Sequence, residues 1–239
     1  MGLTIHYKLQ SDTRTAKEAR RLMGELRKKA LDLPFAEVGE VTELKGDGCD
    51  CRTYDGNDPL RWLAIQAGRY VERDGTHYPA RPVHVVAFST CPGEGCEQAN
   101  FGLATYPLAV FVKDPKERRS RKARTGLKGW SWSSFCKTQY ASDASAGGVE
   151  NFLRCHLSVV RMLDHAKQLG ILASVNDEGG FWEKRDIKTL VQEVGAWNES
   201  LAAFVGQLKD MFGGDFEAPI TKYPDFEHLE AKGRKHGEA

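Results

Sequence analysis

The stretch from Val149 to Gly170 constrains the fold most. At about 100° per residue, Val149, Phe152, Leu153, Leu157, Val159, Val160, Leu163 and Ala166 gather on one broad arc. Glu150, Arg154, Ser158, Arg161, His165 and Gln168 fall on the opposite stripe. The pattern predicts one long helix ending at Gly170, a usual helix-stop residue. Such a helix must bury its apolar arc against another layer, so the rest of the chain has to supply one.

Strand patterns supply it. Residues 3–9, LTIHYKL, alternate apolar and polar positions with the period of a half-buried strand. SDTRTAKEARRLMGELRKKALDL then carries Ala16, Ala19, Leu22, Met23, Leu26 and Ala30 at helical spacing and stops at Pro34. FAEVGEVTEL, 35–44, reads as a strand and completes a β-α-β opening. After a Gly/Asp-rich loop at 45–59, RWLAIQAGRYVER and RPVHVVAFST read as strands joined through DGTHYPA. YPLAVFVK and the segment ending in GWSWSSF read as another pair, bridged by a basic stretch. A further helix is marked by Ile187, Leu190, Val191, Val194, Trp197, Leu201, Phe204, Leu208 and Met211. The expectation is an α+β fold: a β-α-β start, a largely antiparallel sheet, and two long C-terminal helices packed on it. Residues 1–213 would form one domain, and 214–239 a polar, partly mobile extension.

Composition narrows the function classes. In a chain of 239 residues, Lys+Arg number 34 and Asp+Glu 33, leaving no global field to draw nucleic acid or membrane. No apolar run reaches the roughly 18 residues of a membrane span. The N-terminus has no apolar signal segment, so a soluble, cytoplasmic protein is expected. Its six cysteines are then reduced thiols, most of them small buried residues.

Three connections carry the polar groups from which a site could be built. GWSWSSFCKTQYAS places Cys136, Lys137, Gln139 and Tyr140 behind aromatic residues. A cysteine nucleophile needs a base, and His156, inside the apolar arc of the long helix, is the candidate. The competing reading of His156 is a core histidine bonded to a nearby carbonyl, and of Cys136 a buried strand residue. CPGEGCEQANFG, 91–102, is a Gly-rich loop behind an apolar strand, and it offers Glu94, Glu97 and Asn100. In NDEGGFWEKRD, 176–186, Asp177, Glu178, Glu183 and Asp186 offer carboxylates for acid–base work, but Glu183 and Asp186 read more readily as groups favouring a helix N-terminus.

The reading taken forward is an enzyme of hydrolase or group-transfer type acting on a small-molecule or peptide substrate. Its catalytic groups would be Cys136, His156, Glu94 and Glu97, with Lys137, Gln139, Asn100 and Tyr140 binding substrate. No cofactor and no metal is expected, structural zinc at Cys91 and Cys96 being the weaker alternative, with no C-x-x-C pair to support it. Two other classes stand beside it. One is a nucleic-acid-binding module using the basic hairpin 113–128, where eight Lys/Arg face two acids, and the first helix. The other is a non-catalytic partner-binding domain.

Overall fold

The computed structural model describes residues 3–73, 75–113, 120–196 and 198–199. The chain is a mixed α+β fold built on one six-stranded sheet. β1 (Thr4–Ser11) leads into α1 (Ala16–Leu31), where Thr15 caps the helix by accepting the amide of Glu18 at 3.3 Å. Ala19, Leu22, Met23, Leu26 and Ala30 form its buried stripe. Each fully buried leucine or methionine of that stripe stabilises the fold by about 1.5–3 kcal/mol.

The expected strand at 35–44 is broken into β2 (Glu37–Val38) and β3 (Thr42–Lys45). α2 (Pro59–Ala67) follows, then a hairpin of β4 (Arg69–Arg73) and β5 (Thr76–Ala80). β6 (His84–Phe88), β7 (Thr90–Cys91) and β8 (Phe101–Thr105) come next. β9 (Ala109–Lys113) and β10 (Ser120–Arg124) form a second hairpin before β11 (Trp130–Lys137). α3 (Gly148–Gln168), β12 (Leu172–Asp177) and the four-residue α4 (Phe181–Lys184) lead to α5, residues 187–196.

The main sheet runs β12-β1-β11-β8-β6-β3, and every neighbouring pair is antiparallel. β1 and β11 pair along their whole length, Ile5 opposite Cys136, Tyr7 opposite Ser134 and Leu9 opposite Trp132. α1 packs on β6, β8 and α3, while α2 lies against β6 and β11. Stacked rings of Tyr7, Phe101 and Phe88 run through the core, with centroids 5.2 and 5.8 Å apart.

Several local expectations change. Residues 59–67 are a helix where a strand was expected, because Asp58 accepts the amide of Leu60 at 2.8 Å and Pro59 opens the first turn. The 69–80 hairpin therefore closes on THYPA rather than on the 81–90 segment, and β6 joins the main sheet. β9 pairs with β10, which frees β11 to pair with β1. The two C-terminal helices are separated by β12, which takes the edge of the sheet beside β1. Of the second helix, 187–196 and 198–199 fall among the described residues; its expected continuation from 200 to Met211 and the 214–239 extension lie outside them. Among the described residues no helix is long and apolar enough to cross a membrane.

Candidate functional site: a groove beside α2

α2 buries Leu63, Ala64 and Ala67, which leaves the stripe of Trp62 and Ile65 facing outward. Trp62 is 55% exposed. On β11 the burial alternates, and Phe135, between buried Ser134 and Cys136, points out with 46% exposure. The connection from β7 to β8 brings Glu97, Gln98 and Asn100 alongside. Together Trp62, Ile65, Gln66, Glu97, Gln98, Asn100 and Phe135 line a groove of about 410 Å³. That volume suits a small organic ligand. Ile65, Gln66 and Phe135 continue into an adjoining, more polar groove that also carries His6, Lys8, Ser133, Ser134 and Asn176.

Asn100 is the fixed point of the floor. Its carbonyl accepts the Tyr7 hydroxyl at 2.7 Å and the Trp132 indole N–H at 2.9 Å. Burial pushes the Tyr7 phenol far above its ordinary range, so it stays a donor. The Asn100 amide nitrogen donates to Gln66 Oε1 at 2.8 Å, and Gln66 Nε2 donates to Ser134 Oγ at 2.7 Å. This chain ties α2 to β11. Asn100 is 3% exposed, and its Oδ1 has no hydrogen-bond partner among the described residues. A buried acceptor left unpaired costs about 1–3 kcal/mol.

Glu97 joins the loop to the end of β11. Its amide donates to the Lys137 carbonyl at 3.0 Å, and its Oε2 accepts the Lys137 amide at 3.2 Å. Gly95 sets the path of this loop. Its φ is +77°, and an added Cβ would lie 2.5 Å from the Tyr140 carbonyl oxygen. Only glycine meets both conditions without strain.

The other residues singled out in the sequence lie around this loop in different settings. Cys136 is fully buried and its thiol donates to the Glu97 carbonyl at 3.1 Å. Burial, then the charge of Glu97, holds that thiol well above the usual range, away from the thiolate. His156 is also fully buried, and both ring nitrogens are engaged: Nδ1 with Thr138 Oγ1 at 3.0 Å, Nε2 with Asp177 Oδ2 at 3.2 Å. Lys137 Nζ donates to the Tyr140 hydroxyl at 3.2 Å and sits 4.5 Å from its ring centre. Gln139 is buried between the Leu3 amide and Asn198. Glu94 is exposed, and its carbonyl accepts Asn151 Nδ2 at 3.0 Å. Glu97 and Asn100 thus meet in the groove, Cys136 and Lys137 pack behind Glu97, and His156 belongs to a separate buried network. Among the described residues no three metal-ligating side chains gather closely enough to hold an ion.

That buried network joins three elements. Thr138 follows β11, His156 is on α3, and Asp177 ends β12. Asp177 also accepts the amide of Gly179 through Oδ1 and that of Trp182 through Oδ2, both at 2.9 Å. Burial raises its carboxyl pKa, but His156 and the two amides outweigh that and hold it below the ordinary range. Nearby, Asp186 caps α5 through the amides of Lys188 and Thr189.

The cations of α1 are largely engaged with acids: Arg20 with Glu43, Arg21 with Glu18, Arg27 with Glu40 and Lys28 with Glu25. Much of the basic hairpin tip lies outside the described residues. Trp62, Ile65, Gln66 and Phe135 were not among the expected site residues. The signal for the first three was Asp58-Pro59, a helix start that turns LRWLAIQA from a strand into an amphipathic helix.

Fold and groove together define an α+β protein with a part-apolar cleft at the edge of α2. In comparison with known proteins, the chain matches no family model, no curated protein and no solved structure.

Proposed function

We propose that this protein binds a small, flat aromatic amine in the groove between α2 and the 92–100 loop. The observation that carries the reading is Asn100, a groove-lining side chain whose buried Oδ1 has no partner among the described residues, in a cleft walled by Trp62, Ile65 and Phe135. The apolar walls favour a planar apolar body. Asn100 and the Glu97 carboxylate favour N–H donors on it. Among the described residues Glu97 is the one charged side chain in the lining, so a neutral or cationic ligand is preferred over a phosphorylated one.

A hydrolase or transferase using Cys136 and His156 has less support. The thiol is held protonated, and the imidazole is occupied on both sides. If chemistry occurs in the groove, Glu97 is the group placed to act as its base. The nucleic-acid reading is likewise weakened by the acid-paired cations of α1.

Tryptophan fluorescence and thermal shift with benzamidine, tryptamine and adenine, against benzoate and adenosine monophosphate, test the proposal. The amines should bind and the two anions should not. A preference for the anions, or binding unaffected by Trp62→Ala, would count against it.

A further inference from the structure

The groove that adjoins the proposed ligand site is built from two rungs of side chains across three strands. β11, β1 and β12 pair side by side, so Phe135 stands opposite His6, and His6 opposite Asn176. Two residues further along, Ser133 stands opposite Lys8, and Lys8 opposite Ser174. Side chains two apart on a strand share a face, and burial puts these six on the face away from Ile5, Leu9 and Trp132. All six line one groove of about 560 Å³, which shares Ile65, Gln66 and Phe135 with the aromatic groove. The two grooves therefore run into each other at Phe135.

The second rung has the make-up of an anion seat. A lysine stands between two serines, on strands about 4.8 Å apart. Among the described residues no carboxylate lines this groove, and the side chains of Lys8, Ser133 and Ser174 have no hydrogen-bond partner. His6 is already engaged, its ring centre 5.8 Å from that of Phe135 and its Nε2 3.9 Å from Glu178 Oε1. One ammonium flanked by two hydroxyls offers several donors and a single positive charge, which matches one carboxylate.

We infer, resting on the aromatic-amine reading above, that the ligand carries a peptide-like tail whose terminal carboxylate sits between Ser133, Lys8 and Ser174. The strand register sets the length of that tail. Lys8 lies about 7 Å along β1 from His6, the residue opposite Phe135. An extended chain covers that distance in about two amino-acid residues. On the way, the side-chain amides of Gln66 and Asn176 line the groove and suit the peptide groups of such a tail. Charge placement separates this ligand from a simple aromatic acid. A carboxylate on the ring itself would meet Glu97, whereas one carried two residues away meets Lys8.

The test is isothermal titration of the full chain with three probes: 4-aminobenzamide, 4-aminobenzoyl-glycylglycine, and the C-terminal amide of the latter. The last two differ only in the terminal charge. The carboxylate form should bind about tenfold tighter than its amide, and added salt should narrow that gap. Lys8→Gln should bring the carboxylate form down to the level of the amide, and Ser174→Ala should weaken it about threefold. Both positions are exposed, and a thermal melt of each variant checks that the fold is kept. If 4-aminobenzamide binds but carboxylate and amide bind equally, or if Lys8→Gln leaves their gap intact, the tail assignment is overturned while the aromatic-amine reading stands. If 4-aminobenzamide fails to bind, that reading falls and the tail assignment falls with it.

Discussion

His156 Nε2 and Asp177 Oδ2 lie 3.2 Å apart with both side chains fully removed from solvent. The pair fastens α3 to the end of β12, and Thr138 on the other imidazole nitrogen adds β11. Asp177→Asn should cost roughly 3 kcal/mol, since breaking one side of a buried polar pair strands the other. Urea unfolding at neutral pH measures it, and a loss below half a kcal/mol would contradict the role.

The same carboxyl fixes a pH dependence. Its folded pKa lies below the unfolded value of about 3.9, so its contribution is full above that pH and fades as pH falls through the folded value. The stability gap between the native protein and Asp177→Asn should therefore narrow below about pH 4. Unfolding curves from pH 3 to 7 test this, and a gap that stays constant or widens on acidification would be the wrong sign.

Cys136 should behave as a packing residue. Iodoacetamide should modify native Cys136 more slowly than the partly exposed Cys51 and Cys91. Cys136→Ala should lower stability by about 1 kcal/mol, through one lost hydrogen bond and a small void. Preferential labelling of Cys136 would revive it as a nucleophile.

Gly95→Ala should destabilise by about 2–4 kcal/mol, because it combines a positive φ with a collision against Tyr140 backbone. A thermal melt reads the effect. An unchanged melting temperature would mean that the loop is free to take another path.

How much of this was open to reading varies by residue. The alternation of LTIHYKL and the apolar arc of 149–170 gave β1 and α3 nearly at their observed limits, since one buried face leaves a clear period. LRWLAIQA misled because a short apolar run fits either period, and the decision rested on the capping pair Asp58-Pro59. β12, LASVND, shows little burial beyond Asp177, as an edge strand pairing on one side has weak patterning. Glu97 and Asn100 were legible as loop polar groups. Their meeting with Trp62, Ile65 and Phe135 was not, because it depends on α2 packing beside β11 across distant parts of the chain.

Trp62→Ala should weaken amine binding at least about tenfold while leaving the melting temperature nearly unchanged, because the ring is half in solvent. Isothermal titration beside a melt separates the two effects. Equal losses in both would mark Trp62 as structural.

The most direct measurement follows the side-chain amide signals of Asn100 and Gln66, with the Trp62 indole signal, in nitrogen-15-labelled protein titrated with tryptamine. The account predicts that all three shift together and saturate at one common affinity, and that Asn100→Ala abolishes the response at Gln66. Saturable shifts confined to other parts of the chain, with these three signals unmoved, would contradict it.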